Sequence, residues 1–320
     1  MKKKSIILAI AAFSVILITA VSFLVLKKVP ETLLSARKTD KAEVIYGRAE
    51  EFLKAGEYHK AADILLIIVS RYPDSIYAER SLRKLASICL ARSDYVKAKY
   101  YYDRLLKDFP RIKDAGEIRS AVEGLNMKMM QSPVMTADSI EYVVQPGNTL
   151  IAIAKKFNTT VELVKMMNGL QNDIIRPGQK LKINISKFSI YIDRFQNILI
   201  LRKDGEPFRT YSIATGKDNS TPLGNFAIVD KMVRPPWTKP GVGIVLPDSD
   251  EYELGERWMP LSIHGYGIHG TNDDSSIGRQ ATAGCVRMHN SDVIELYDMV
   301  TKGTAVEIVD SREKTEGKVE

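Results

Sequence analysis

The sequence predicts a multidomain chain: an N-terminal transmembrane helix, an all-α repeat region, a small βααβ unit and a mainly-β C-terminal domain. Three observations predict it. Residues 5–26 carry no charge. A pattern of Tyr, Lys, Ala and aromatic-Pro recurs after 37 residues. From Lys187 onward the apolar residues change from helical spacing to alternation, the period of a half-buried strand. The chain has 320 residues, 45% hydrophobic and 27% charged. That suits several globular domains and excludes a wholly disordered or polytopic protein. The net charge is +7, with 39 acidic residues interspersed among the basic ones. No basic stripe with interleaved aromatics stands out, so no nucleic acid is expected; an anionic polymer or a membrane surface is the better partner.

Residues 1–28 read as a membrane anchor. Lys2, Lys3 and Lys4 precede the uncharged run, which at 1.5 Å per residue spans ~33 Å, enough to cross a bilayer core. A signal peptide has the same basic start, but its apolar core is usually ~7–15 residues and ends in a small-residue cleavage site. Here Lys27 and Lys28 close the run without such a site. The expectation is an uncleaved single-pass anchor with its amino terminus in the cytoplasm, although Lys27, Lys28, Arg37 and Lys38 oppose that orientation. The remainder would then work on the extracytoplasmic face of the membrane, periplasm or wall side.

Residues 40–131 read as a helical repeat domain. Val44, Ile45, Ala49, Phe52 and Leu53, then Ile64, Leu65 and Ile68, recur at helical spacing. Tyr58, Lys60, Ala61 and Tyr72-Pro73 return as Tyr95, Lys97, Ala98 and Phe109-Pro110. Small Ala61 and Ala98 let paired helices approach, and Pro73 and Pro110 stop them. The pattern resembles tetratricopeptide-type repeats, which implies either a protein partner or a spacer. Cys89, beside Ile88 and Leu90, is expected to be a buried structural thiol. With only two cysteines, Cys89 and Cys285, in separate segments, no disulfide scaffold is expected.

Residues 132–140 form a linker around Ser132-Pro133. Residues 141–185 follow as strand, helix, helix, strand. Tyr142-Val143-Val144 alternates, Pro146-Gly147-Asn148 turns the chain, and Asn148 or Thr149 caps a helix carrying Leu150, Ile153, Ala154 and Phe157. Thr159 or Thr160 starts a second helix, Asn168-Gly169 ends it, and Pro177-Gly178 leads into a strand over 180–183. The runs 142–150 and Arg176-Pro177-Gly178-Gln179-Lys180-Leu181, with Asn168, resemble a LysM domain. One departure is Asn148, where Asp is commoner. The resemblance implies binding of glycans containing N-acetylglucosamine, such as peptidoglycan, through Gly147, Asn148 and Thr149 and the stretch holding Leu170, Asn172 and Ile174. Asn148 and Thr149 serve equally well as helix caps.

Residues 187–309 carry the chemistry. Ile190 and Ile192 alternate, 198–201 is a buried strand, and Asp204-Gly205 is a hairpin turn. In the next strand Phe208, Thr210, Ser212 and Ala214 are expected on one face. Six of the 13 prolines lie between residues 222 and 260, so that region is expected to be irregular, a lid over a cleft. Trp237 and Trp258 flank it, to line the cleft or pin the lid. Two runs then matter most: Tyr266-Gly267-Ile268-His269-Gly270-Thr271 and Thr282-Ala283-Gly284-Cys285-Val286-Arg287-Met288. A thiol needs a base or a cation to become a strong nucleophile, and histidine titrates in the right range. Gly284 allows close approach of a substrate backbone, and the amides around Cys285 can form an oxyanion hole. Arg287 offers a bidentate fork for a carboxylate.

These runs, with residues 212–217 and Thr221-Pro222-Leu223-Gly224-Asn225-Phe226, resemble the L,D-transpeptidase catalytic domain, also called YkuD. Ala283 stands where many members have His. The resemblance implies a cysteine acyltransferase acting on peptidoglycan. Cys285 would attack the diamino acid carbonyl of a stem tetrapeptide and release D-alanine. His269 would take the thiol proton, and an amine would resolve the thioester to give a 3–3 cross-link. Gly284 and Gly270 would serve the oxyanion and the imidazole, and Arg287 and Thr282 the substrate. No cofactor is implied, and no histidine spacing fits a metal site. His289 reads as a supporting residue, and the role of His264 stays open. Water as acceptor would make an L,D-carboxypeptidase, and a protein lysine would make a protein-to-wall attachment enzyme. A non-catalytic peptidoglycan-binding scaffold is the reading outside enzymes. Residues 310–320 are charged and expected to be disordered.

Overall fold

The computed structural model describes residues 38–239 and 241–312. The expected anchor at 1–28 and residues 313–320 of the expected tail lie outside them. Among the described residues no helix is long and apolar enough to cross a membrane. The chain divides into two compact units, with the boundary between Lys128 and Met129.

The first unit is helical: α1 (Lys38–Lys54), α2 (Tyr58–Arg71), α3 (Ile76–Ala91), α4 (Tyr95–Asp108) and the start of α5 (Ala115–Gln131). The 37-residue period has a local cause. Tyr58 and Tyr95 each open a helix, after a left-handed turn at Gly56 (φ 74°) and Ser93 (φ 56°). α2 and α4 stop two residues before Pro73 and Pro110, because proline lacks the amide and disfavours helical backbone in the residue before it. Ser75 caps α3 and Asp94 caps α4 through their side chains. Ala61 and Ala98 are wholly buried, so backbones come close there. Cys89 is half-buried on α3 against this core, and burial raises its thiol pKa.

The second unit opens with β1 (Ser139–Val143), α6 (Leu150–Lys156), α7 (Val161–Asn168) and β2 (Lys180–Asn184). β1 and β2 pair antiparallel, with Ser139 opposite Asn184. The expected linker is therefore shorter: α5 runs to Gln131, and Ser139 already lies in a strand. Thr149 and Thr160 cap the two helices. Asn168 closes the motif, donating to Val164 O and Lys182 O and accepting from Lys182 N. This small motif and the β-rich part belong to one compact unit. The Thr160 hydroxyl donates to Asp298 O, and Lys203 pairs with Asp138.

The β-rich part holds β3 (Phe188–Asp193), β4 (Ile198–Lys203), β5 (Glu206–Gly216), β6 (Gly224–Ala227), β7 (Met232–Val233), β8 (Trp237–Lys239), β9 (Gly243–Val245), β10 (Arg257–Pro260), β11 (Gly267–His269), β12 (Gln280–Thr282), β13 (Val286–Met288), α8 (Asn290–Met299) and β14 (Ala305–Val309). One sheet runs in the order β6, β14, β3, β4, β5, β13, β11, β10, β7, with β12 on β5. Asp204 and Gly205 both have positive φ, 51° and 88°, the backbone of a tight hairpin turn.

Three expectations change here. Leu201 pairs Arg209 while Arg202 pairs Pro207, so Phe208 is an extra residue in β5. That bulge flips the alternation: Phe208 is buried with Tyr211 and Ile213, while Thr210 and Ser212 are exposed. The proline-rich region is more regular than expected, because β6, β7, the β8–β9 hairpin and β10 all fall in it. Its prolines sit largely between or at the ends of these short strands. Asp310, expected in the tail, is buried because Arg194 and Arg312 both pair with it.

Candidate active site

The two chemical runs meet on neighbouring parallel strands. In β11 and β13, Ile268 lies opposite Val286 and His269 opposite Arg287. The same register sets Gly267 level with Cys285, one residue before β13. Side chains alternate along a strand, so Ile268, Val286 and Met288 fill the core face, each at most 1% exposed. His269, Arg287 and Cys285 take the other face, where Cys285 and His269 are diagonal neighbours. Between them Gly267 has no side chain. A Cβ there would stand 2.6 Å from the Trp258 ring, which covers this spot with its centroid 5.8 Å from that of His269.

Two threonines clamp the turn before Cys285. Thr282 Oγ1 donates to Cys285 O (2.7 Å) and accepts from Gly284 N (3.1 Å). Thr221 Oγ1 donates to Gly284 O (2.9 Å) and accepts from Gly216 N (2.7 Å). Gly284 is required as glycine. Its φ is 134°, and a Cβ would approach Tyr266 Cε1 to 2.6 Å, so any side chain there is both strained and blocked. The Cys285 thiol is half-buried and its Sγ lies 3.6 Å from Gly265 O.

His269 is 4% exposed and its Nδ1 lies 2.7 Å from Gly270 O. A carbonyl only accepts, so Nδ1 carries the proton and Nε2 keeps its lone pair. Gly270 is held in turn. Its amide donates to Leu254 O and Arg257 O, and Asn290 Oδ1 occupies the space a Cβ would need, 2.2 Å away. Asn290 also ties Glu256 N, Thr271 N and Thr271 O to the start of α8.

Electrostatics favour neutral forms of both groups. Burial pulls His269 down to about 4, and the Arg287 charge pushes the same way; hydrogen bonding to the Gly270 and Glu253 backbones and the Glu253 charge resist. Burial pushes the Cys285 thiol up, while a hydrogen bond from the Gly267 backbone and the Arg287 charge oppose it. A neutral imidazole protonated on Nδ1 keeps a basic Nε2, which can remove a thiol proton during attack. Among the described residues no group of three or more His, Cys, Asp or Glu could hold a metal ion.

Residues 187–308 match the family model for the L,D-transpeptidase catalytic domain, YkuD, and residues 142–184 match that for the LysM domain. Over 175 residues the chain is 36% identical to the Bacillus licheniformis protein named as the L,D-transpeptidase YkuD, a match spanning 52% of this chain and 97% of that protein. The chain belongs to the YkuD family of L,D-transpeptidases. Its similarity to the Bacillus subtilis YkuD is 34% identity over 177 residues, 53% of this chain and 98% of that protein. Among solved structures, an L,D-transpeptidase from Mycobacterium smegmatis aligns with a TM-score of 0.34 at 23% identity, covering 41% of this chain and 63% of that one.

Within this YkuD domain some expected residues sit differently. The Arg287 fork does not stand open to a carboxylate. Arg287 is 8% exposed, with Nη1 on Ser276 Oγ (3.1 Å) and Nη2 on Glu253 Oε2 (3.2 Å). Thr282 is buried and spends its hydroxyl on the Cys285 turn. Trp237 and Trp258 pack together on Val245, Tyr252 and Leu254, so they pin the proline-rich region, and Trp258 also flanks His269. His264 lies exposed between β10 and β11. His289 Nδ1 lies 2.7 Å from Asp274 Oδ1.

In the LysM motif, Gly147 and Thr149 are exposed at the turn before α6, and Asn172 and Ile174 are exposed in the loop before β2. Thr149 caps α6, whereas Asn148 accepts from Gln145 N and Tyr142 Oη and so braces the turn. Asn172 accepts from Ile174 N. Leu170 differs: it packs on the core. Thr221, Glu253, Ser276 and Asn290 were not singled out from the sequence. Thr221 opens the run 221–226, whose sequence assigns it no role, and the other three have partners distant in the chain.

Proposed function

We propose that this protein is a peptidoglycan L,D-transpeptidase in which Cys285 is the nucleophile and His269 its base. The observation that carries the reading is the placement of Cys285 and His269 on one face of adjacent strands, with His269 Nδ1 occupied by Gly270 O. The thiol attacks the diamino acid carbonyl of a stem tetrapeptide, and Nε2 of His269 takes the thiol proton. The tetrahedral intermediate collapses, the bond to D-alanine breaks, and its amine leaves with that proton. An amine on a second stem peptide attacks the thioester and forms the 3–3 cross-link. Arg287, paired with Glu253, positions the strand and sets the local charge.

The LysM motif holds the enzyme on glycan strands, so a weak single-module affinity raises the effective concentration of stem peptides. The substrate places the reaction on the wall side of the cytoplasmic membrane, with residues 5–26 as the tether. The helical repeats provide a surface for a protein partner. Intact mass after incubation with a carbapenem tests the nucleophile. One adduct should form on the wild type, map to Cys285, and be missing from Cys285→Ala. A folded wild type that takes no adduct overturns the assignment.

A further inference from the structure

We propose that Thr221 is a positioning residue of the acylation site: it fixes the Gly284–Cys285 peptide plane and so aims the Cys285 amide at the developing oxyanion. Thr221 is 1% exposed. Its hydroxyl has one proton, given to Gly284 O at 2.9 Å, and a lone pair taken by Gly216 N at 2.7 Å. Its own carbonyl accepts from Arg194 Nη1 at 2.8 Å, and Arg194 Nη1 also reaches Asn219 O at 2.8 Å. Arg194 Nε pairs with buried Asp310 at 3.0 Å. Thr221 is therefore held by two partners at its hydroxyl and by Arg194 at its carbonyl.

The geometry of the peptide does the rest. A trans peptide is planar and points its N–H opposite its C=O, and no described peptide is cis. Drawing Gly284 O toward Thr221 turns Cys285 N–H to the other side. Gly284 does not set this orientation through its own sterics, since glycine is the most permissive residue. Thr282 holds Gly284 N and Cys285 O, which leaves the carbonyl between them to Thr221. Gly216 also has to be glycine here: a Cβ would stand 2.8 Å from Gly284 Cα and 2.7 Å from Thr221 N.

Two reactions of the same thiol separate this role from a general structural one. Acylation by a carbapenem forms the S–C bond while the carbonyl electron pair moves onto oxygen. Collapse restores C=O and breaks the ring C–N bond, whose nitrogen takes the proton the thiol gave up. Alkylation by iodoacetamide forms an S–C bond and expels iodide; the thiol proton goes to base, and no oxyanion develops. The experiment measures both rate constants at Cys285 in the full-length protein, with peptide mapping to exclude Cys89.

In Thr221→Val or Thr221→Ala, either folded variant sufficing, the acylation-to-alkylation ratio should fall ~10–100-fold. In Thr221→Ser, which keeps the hydroxyl, it should stay within ~2-fold of wild type. An unchanged ratio in the hydroxyl-free variants overturns the proposal. So does a parallel fall of both rates, or a Ser variant that loses the ratio as Val does. The inference rests on Cys285 as the acylated thiol. A Cys285→Ala protein that still gains carbapenem mass removes that reading, whereas an unchanged ratio with unlabelled Cys285→Ala removes only the role of Thr221.

Discussion

Arg287 and Glu253 pair across the site, Nη2 to Oε2 at 3.2 Å. Glu253 also takes Lys239 Nζ at 2.7 Å. One carboxylate thus links the strand after Cys285 to the β8–β9 hairpin and shares the charge that Arg287 directs at His269 and Cys285.

The consequence is a pH profile. His269 is pulled down to about 4 and the Cys285 thiol is pushed up, so both are neutral at pH 7. Acylation should hold through neutrality and be lost as the pH falls through about 4, where His269 gains its proton. Iodoacetamide alkylation should instead rise only above the ordinary thiol range. Removing the carboxylate in Glu253→Gln leaves Arg287 uncompensated, so both profiles should move to lower pH. An alkylation plateau between pH 5 and 7, expected of a preformed thiolate–imidazolium pair, would contradict this assignment. Stability should follow as well. Below the unfolded value of 6.5 the unfolded chain binds a proton that folded His269 refuses, so stability should fall from 6.5 down toward about 4.

Asn290 should be indispensable to the fold of the site. Asn290→Ala orphans Glu256 N and both backbone groups of Thr271, and each buried unsatisfied group costs about 1–3 kcal/mol. A drop of about 3 kcal/mol by denaturant titration is expected, with activity falling alongside. Gly270→Ala should be as damaging, since its Cβ would stand 2.2 Å from Asn290 Oδ1. A fully stable Gly270→Ala would show that Asn290 is free to move.

Asp310 should stabilise the end of the chain. Arg194 and Arg312 hold its carboxyl far below the usual carboxylate range, against the opposing effect of burial. Its contribution is therefore present above the unfolded value and lost as pH falls toward the folded one. Asp310→Asn leaves Arg194 without its partner and should cost about 3 kcal/mol at pH 7. The difference from wild type should shrink in acid, read from melting temperatures across pH. A constant difference would remove the ion pair as the cause.

The LysM loop offers a contrast between neighbours. Ile174 is 72% exposed, whereas Leu170 packs on the LysM core. Ile174→Ser should weaken sedimentation with peptidoglycan about tenfold, the scale of one lost apolar side chain, and leave the melting curve in place. Leu170→Ser should lower the melting temperature. Equal binding by wild type and Ile174→Ser would move the glycan contact elsewhere.

What was legible in the sequence was local. The caps at Thr149 and Thr160 take amides three residues on, Asp204-Gly205 makes its own turn, and Pro73 and Pro110 stop the helices before them. The runs holding His269 and Cys285 stood out because each is distinctive, and they meet on neighbouring strands. The remaining features depend on partners far along the chain. Glu253 meets Arg287 across 34 residues, and Arg194 meets Asp310 across 116. The bulge at Phe208 depends on β4, so alternation alone put Phe208 on the face of Thr210 and Ser212. Arg287 was read as open to substrate because nothing adjacent announces Glu253 or Ser276.

Transfer of an acyl group from stem tetrapeptide to an amine through Cys285 should be visible in the reaction products. The full-length protein and its Cys285→Ala variant would be incubated with disaccharide tetrapeptide and the products resolved by mass spectrometry. A 3–3 cross-linked dimer with loss of D-alanine is expected in the wild type and none in the variant. Dimer formed equally by Cys285→Ala, or no change in tetrapeptide with folded wild type, would contradict it; tripeptide without dimer would make water the acceptor and the enzyme a carboxypeptidase.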